Sequence, residues 1–89
     1  MNIFPIKYMK LDAKAFALSL GLLWACGVFV LALIDMLYGY GSEWVVLIGS
    51  VYKGYGPTLP GAATGLPWAF VDGFVGAWIW AWLYNKLAK

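Results

Sequence analysis

The sequence predicts an all-α membrane protein, namely a two-helix transmembrane hairpin with a short interfacial helix in the connecting segment. Of the 89 residues, 64% are hydrophobic and only 11% are charged, against about 25% charged in an average soluble domain. The mean hydropathy is +0.80. A soluble domain of this size must cover a large surface with polar groups, which six lysines and four acidic residues cannot do. The composition therefore excludes an independent soluble enzyme and a disordered chain.

The first span is predicted at residues 15–37. An uncharged apolar run covers 15–34, and a helix of that length is roughly 30 Å long, which matches the hydrocarbon core of a bilayer. A signal peptide has a shorter apolar region of about 7–15 residues followed by a small-residue cleavage site. Here Asp-Met-Leu-Tyr-Gly-Tyr follows at 35–40, so a retained membrane helix is predicted.

The second span is predicted at residues 61–85. Asp72 is the one charge inside it, and Pro67 predicts either a helix start nearby or a kink in a helix that begins near Gly61. Aromatic rings that favour the headgroup boundary crowd its last turns. These are Trp78, Trp80, Trp82 and Tyr84.

The outer-face connection is predicted at residues 38–60. Its apolar part, 43–52, is too short to cross a bilayer. We expect a short interfacial or re-entrant helix there, with a strand as the alternative because valine and isoleucine are frequent. Turn-forming residues flank it on both sides. They are Gly39, Gly41, Gly54, Gly56, Pro57 and Pro60.

Lysine positions predict the orientation. Only Lys53 lies in the connection, and the others flank the outer ends of the hairpin. Those others are Lys7, Lys10, Lys14, Lys86 and Lys89. The positive-inside tendency then places the N-terminal segment 1–14 and the tail 86–89 in the cytoplasm, with the protein in the bacterial inner membrane.

Small residues predict where the helices pack, because helices in lipid associate by close approach of their backbones. In the second span they recur every four residues, at Gly61, Gly65, Ala69, Gly73, Ala77 and Ala81. A second set in steps of three and four comprises Ala62, Gly65, Ala69, Asp72 and Gly76. The first span has a shorter stripe at Ala13, Ala17, Gly21 and Ala25. We expect the two stripes to face each other or a neighbouring protomer, with Phe70, Phe74 and Trp78 toward lipid.

Asp72 is a candidate either for lining a pore or for setting the register of the helices. A carboxylate near mid-bilayer costs several kcal/mol unless it is paired, hydrated or protonated. In an oligomer, a ring of Asp72 carboxylates would line a pore or carry protons. Alternatively, a neutral Asp72 hydrogen-bonds to a facing backbone group or hydroxyl, such as that of Ser19, and sets the helix register. Asp35 and Glu43 are expected to be solvated boundary charges.

The residue inventory predicts no catalytic, cofactor or metal site. Histidine is absent, which removes the commonest general base and metal ligand. Cys26 is the only cysteine and is expected to be a small buried apolar residue. No nucleophile with a base, close carboxylate pair or phosphate loop occurs. Without arginine or a basic stripe, a nucleic-acid partner is not expected.

Three stretches carry a resemblance to a known group of proteins. They are Lys-Leu-Asp-Ala-Lys-Ala-Phe-Ala-Leu at 10–18, Val-Tyr-Lys-Gly-Tyr at 51–55, and 65–85 with its Trp-Ala-Phe-Val-Asp-Gly-Phe and Ala-Trp-Leu-Tyr-Asn. The sequence resembles small two-span bacterial membrane proteins catalogued as phage-holin-like or membrane-associated, departing at Ala69, where a glycine is expected. The resemblance implies self-association and lesions in the cytoplasmic membrane. The rotor-ring subunit of rotary ATP synthases is also similar, but its Gly-x-Gly repeat and polar Arg-Gln-Pro-type loop are missing.

The expected function follows from the small buried area of an isolated hairpin, which predicts a homo-oligomer or a place in a larger membrane complex. The first hypothesis is a holin-like pore or scaffold that associates laterally through the stripe at 61–81, with Asp72 near its protein-lined interior. The alternative is a non-catalytic accessory subunit of a larger membrane complex. A third hypothesis is a selective channel that uses Asp72.

Overall fold

The computed structural model describes residues 10–88, and this part of the chain is all-helical, as predicted. Three α-helices occur, α1 at Ala13–Tyr38, α2 at Ser42–Gly49 and α3 at Leu59–Leu87. By length and composition, α1 and α3 are apolar enough to cross a membrane. The strand alternative for 43–52 is wrong, because α2 forms there. Residues 1–9 and 89, with the predictions made for Lys7 and Lys89, lie outside the described residues.

Local capping determines where α1 begins and ends. The side chain of Asp12 accepts a hydrogen bond from the backbone N–H of Ala15 at 3.2 Å, which satisfies a free donor of the first turn. At the other end Gly39 adopts a left-handed φ of 66°, and its N–H donates to the carbonyl of Asp35 at 2.7 Å. The helix thus covers the predicted span 15–37 and one or two further residues at each end.

The N-terminus of α3 lies before the predicted span. Thr58 caps the helix by accepting from the N–H of Gly61 at 2.8 Å, and Pro60 lies in the first turn, where a missing N–H costs little. The helix continues through Pro67 without interruption, so a start near Pro67 is wrong. The Thr58 cap and Pro60 in the first turn favour a helix that starts here, and this preference outweighs the cost of Pro67 inside the helix.

The two long helices pack side by side and antiparallel. At mid-length, a Cβ built on Gly73 would lie 3.1 Å from the Cα of Gly21, so the backbones approach closely. At the terminal end, the side chain of Asn85 accepts from the N–H of Leu11 at 2.7 Å and donates to its carbonyl at 2.9 Å. Lys10 donates to the last carbonyls of α3. These contacts hold α1 against α3 at mid-length and hold the segment before α1 against the end of α3.

The connection folds back along the helix pair. Gly41 lies against Leu31 near the end of α1, whereas Tyr52 reaches Trp24, almost two turns nearer the N-terminus. Between them, α2 buries Val45 and packs Ile48 against the core. The chain then returns toward the start of α3, since a Cβ on Gly54 would meet Thr64. The connection therefore covers one side of the long helices.

Candidate functional site

The small-residue faces of the two long helices meet inside one chain. The buried residues of α1 include Ala17, Gly21, Ala25, Val28 and Ala32. Those of α3 are Gly61, Ala62, Gly65, Ala69, Ala77 and Ala81. Gly73 is half-buried against Gly21, whereas Gly76 is exposed and a Cβ built on it would meet no atom within 4 Å. Gly76 therefore takes no part in the contact between α1 and α3.

Two of the α3 glycines pack against the connection, and Gly65 also lies against Val28 of α1. A Cβ on Gly61 would lie 2.7 Å from the carbonyl oxygen of Gly56, and one on Gly65 would lie 2.6 Å from the ring of Tyr55. Such distances leave no room for a side chain. The connecting segment therefore packs on Gly61 and Gly65, at the start of the α3 stripe. The four-residue spacing alone does not reveal this role of the two glycines.

The aromatic face of α3 differs in part from the expectation. Phe70, expected to face lipid, packs its ring 3.1 Å from a Cβ built on Gly21 and is half-buried. The ring fills the space that the missing side chain of Gly21 leaves beside the helix contact. Phe74 and Trp78 continue a ladder of rings with centroids 5.9 and 5.8 Å apart. Trp78 is exposed.

A chain of side-chain hydrogen bonds joins α1, the connection and α3 at Asp72. The Tyr52 hydroxyl donates to Oδ2 of Asp72 at 2.5 Å. The indole Nε1 of Trp24 donates in turn to the Tyr52 oxygen at 2.9 Å. The Tyr52 ring stacks on Trp68, with centroids 5.9 Å apart and planes 7° from parallel. Trp68 donates to the backbone oxygen of Lys53 at 3.0 Å, which completes the attachment.

Tyr55 attaches the connection at a second point. Its hydroxyl donates to the backbone oxygen of Val28 in α1 at 2.7 Å, and its side chain is buried. Between the two tyrosines Gly54 has a φ of 94°, which lets the chain reverse and point both rings inward. Burial raises the pKa of both Tyr52 and Tyr55, and the hydrogen bond to Asp72 adds to the increase at Tyr52.

The hydroxyl partner of Asp72 is therefore Tyr52 and not Ser19. Ser19 donates to the carbonyl of Phe16 within its own helix. Tyrosines commonly lie at the membrane boundary, whereas Tyr52 and Tyr55 are buried here. The signal for their inward position is the Tyr-Lys-Gly-Tyr sequence, whose glycine permits the positive φ at which the chain reverses.

One side of the Asp72 carboxylate remains open. The residue is exposed, although Tyr52 beside it is 4% exposed. A shallow groove of about 290 Å³ runs past it. Its lining consists of Val51, Tyr52, Trp68, Val71, Asp72 and Val75. An acidic group thus interrupts an otherwise apolar surface.

Two further residues, Asp35 and Cys26, differ from their expected environments, whereas Glu43 agrees with its expectation. Asp35, expected to be solvated, is buried because the turn through Gly39 brings the Ser42 hydroxyl onto its carboxylate as a donor. Glu43 is exposed, as a boundary charge would be. Cys26, expected to be buried, is exposed on α1 because α3 and the connection cover other faces of that helix.

Within residues 10–88, no group of three or more histidine, cysteine, aspartate and glutamate side chains is placed to hold a metal ion. The hydrogen bond from Tyr52 can hold the Asp72 carboxylate in one orientation on the exposed surface of α3.

The chain matches no protein-family model, no curated protein and no solved structure.

Proposed function

We propose that this chain is a small integral protein of the bacterial inner membrane, in which α1 and α3 cross the bilayer as an antiparallel pair. The supporting observation is the outer surface, where large apolar side chains are exposed along both helices, among them Leu23, Val71 and Ile79. Water would penalise such a surface, whereas lipid does not. Lys14 and Lys86 lie together at one end, which favours a cytoplasmic location for both termini.

The connection then enters the outer half of the bilayer. Asp72, which Tyr52 touches, lies roughly 20 Å along α3 from its first residue at 1.5 Å per residue. A loop at this depth is tolerated in lipid only where protein satisfies its backbone groups. The hydrogen bond from Trp68 to the backbone oxygen of Lys53 is of this kind. The bond from Tyr55 to the carbonyl of Val28 satisfies the tyrosine hydroxyl in the same way.

We propose that its role is that of a non-catalytic accessory or scaffold subunit of a larger membrane complex. The observation that carries this proposal is that the small-residue stripes of 13–25 and 61–81 are largely buried by contacts within one chain. Lateral assembly through the 61–81 stripe would require α1 and α3 to separate first. A partner must therefore use the outer surface, where the acid at position 72 is the distinctive feature.

A holin-like pore is the second candidate. Asp72 and Gly76 lie one turn apart on the same exposed side of α3, and a ring of copies that turned this side inward would line a path with carboxylates. In that case Asp72→Asn would abolish conductance and leave assembly intact.

Expression of the chain alone in a bacterial host separates the two roles. An accessory subunit accumulates in the alkali-resistant membrane fraction while growth and membrane potential stay normal. Lesion formation instead collapses the potential and arrests growth. Recovery in the soluble fraction would contradict both roles. Reporter fusions at each terminus test the orientation, with both termini expected on the cytoplasmic side.

A further inference from the structure

We propose that Asp72 and Gly76 form a docking site for a membrane-spanning helix of another protein that carries a lysine or arginine at the depth of Asp72. This inference rests on the accessory role proposed above and names the kind of partner.

Asp72 lies between the exposed apolar side chains of Val71 and Val75, and the hydrogen bond that it accepts there comes from a neutral hydroxyl. Acidic residues inside membranes usually face protein or water and pair with a group of opposite charge. Among residues 10–88 no such group lies beside Asp72, so its exposed carboxylate is a site for an incoming cation.

The surface beside the Asp72 carboxylate is open at Gly76. Side chains on a helix point toward its N-terminus, so the carboxylate of Asp72 leans toward Tyr52 and leaves the surface at Gly76 clear. Gly76 lies one turn further on, with no atom within 4 Å of a Cβ built on it. A glycine in this position lets a second helix approach closely enough to bring a basic side chain to Asp72.

The positions of the lysines distinguish a second copy from a different protein as the occupant of this site. Within the described residues, lysines lie at the ends of α1 and α3 and in the connection, and none is within either helix near Asp72. Two copies joined through this surface would therefore bring two carboxylates together, which repel each other. The lysine of the connection, Lys53, has its backbone at the level of Trp68, one turn nearer the outer end. Charge complementarity thus favours a different chain.

Tyr52 acts as a positioning residue for this site. Its hydroxyl holds Oδ2 of Asp72, while its own orientation is set by Trp24 and by the stacked ring of Trp68. Oδ1 is left for the incoming cation. A carboxylate oriented in advance loses less freedom when the partner binds.

Energy transfer in phosphatidylcholine vesicles tests the proposal. The donor dye is attached to Cys26, the only cysteine in the sequence and an exposed one. The acceptor is carried by a leucine-rich model helix with one central lysine, and the control helix has leucine at that place. We expect the lysine helix to associate with the protein roughly five- to tenfold more tightly than the leucine helix.

Four variants locate the effect. Asp72→Asn should reduce association of the lysine helix to the leucine level, whereas Asp72→Glu should retain most of it. Gly76→Leu should weaken it because the side chain blocks the approach. Gly27→Leu is the matched control, since Gly27 is an exposed glycine of α1 that also has no atom within 4 Å of a built Cβ. Circular dichroism of each variant checks that the helices form.

The docking site is overturned if the lysine and leucine helices associate equally, or if Asp72→Asn or Gly76→Leu leaves the lysine preference unchanged. It is also overturned if donor- and acceptor-labelled copies of the protein associate with each other through Asp72. Asp72→Glu and Gly76→Leu still test the docking site if Asp72→Asn does not fold. A chain that fails to enter the vesicles contradicts the membrane role itself, whereas one that enters but ignores the lysine contradicts only the docking site.

Discussion

The hydroxyl of Tyr52 donates a hydrogen bond of 2.5 Å to the carboxylate of Asp72, although 20 residues separate them in the sequence. Trp24 of α1 donates to the same hydroxyl, so one phenol links the connection to both long helices. In lipid, where water does not compete, such bonds hold a loop against a helix pair. The three residues therefore form the polar centre of an otherwise apolar protein.

Replacing Tyr52 by phenylalanine should loosen the connection. Tyr52→Phe keeps the ring on Trp68 but removes the bonds to Asp72 and from Trp24, which together are worth about 1–2 kcal/mol. Unfolding of the detergent-solubilised protein by sodium dodecyl sulfate measures the loss. Tyr40→Phe is the control because Tyr40 is exposed. Equal stabilities of the two variants would show that the hydrogen bonds contribute nothing.

Leucine at position 73 should force the long helices apart. A Cβ on Gly73 would already lie 3.1 Å from Gly21, so the larger side chain of Gly73→Leu is expected to cost about 1–3 kcal/mol. Gly76→Leu serves as the control, since it meets open space and should unfold like the native chain. The same detergent titration compares them. An equally stable Gly73→Leu variant would contradict the close contact of α1 and α3. The mass of the detergent complex, measured in parallel, reports whether an oligomer is also disrupted.

Removal of the Asn85 side chain should release the N-terminal end of α1. The amide of Asn85 bonds both the N–H and the carbonyl of Leu11, and Asn85→Ala removes both bonds. Hydrogen exchange at Leu11 and the first turn of α1 should accelerate roughly fivefold, as expected for the loss of about 1 kcal/mol. Lys86→Ala is the neighbouring control, because Lys86 is exposed beside the Trp82 ring. Unchanged exchange at Leu11 in Asn85→Ala would rule out this clamp.

Alkaline titration should distinguish two of the six tyrosines. Burial raises the pKa of Tyr52 and Tyr55 above the ordinary 10.0, so the ionisation of these two hydroxyls should be centred above that pH. Because the folded protein binds these protons more tightly than the unfolded chain, the stability they contribute is complete below pH 10.0 and is lost as the pH rises through the folded pKa values. Phenolate absorbance measures the titration. Tyr52→Phe and Tyr55→Phe should each remove part of the late phase, and simultaneous ionisation of all tyrosines in the native chain would contradict the burial.

Much of the helical structure follows from the sequence alone because its causes are local. The apolar runs 15–34 and 61–85 are long enough for helices that cross a bilayer, and hydropathy is a property of neighbouring residues. Small residues at every fourth position likewise indicate a face that lets another backbone approach. Gly21 and Gly73 lie in mutual contact at such positions.

The partner of each polar group follows from the tertiary structure and could not be predicted from the sequence. Whether Asp72 meets Ser19, a second copy or Tyr52 depends on the direction in which α2 leaves α1, and no residue near position 72 encodes that direction. The same fold-back buries Asp35 under Ser42 and turns Tyr55 inward, although tyrosines and acids near helix ends are commonly solvated. Contacts between segments distant in sequence depend on the summed geometry of the turns between them, and small changes at Gly39, Gly41 and Gly54 would redirect them.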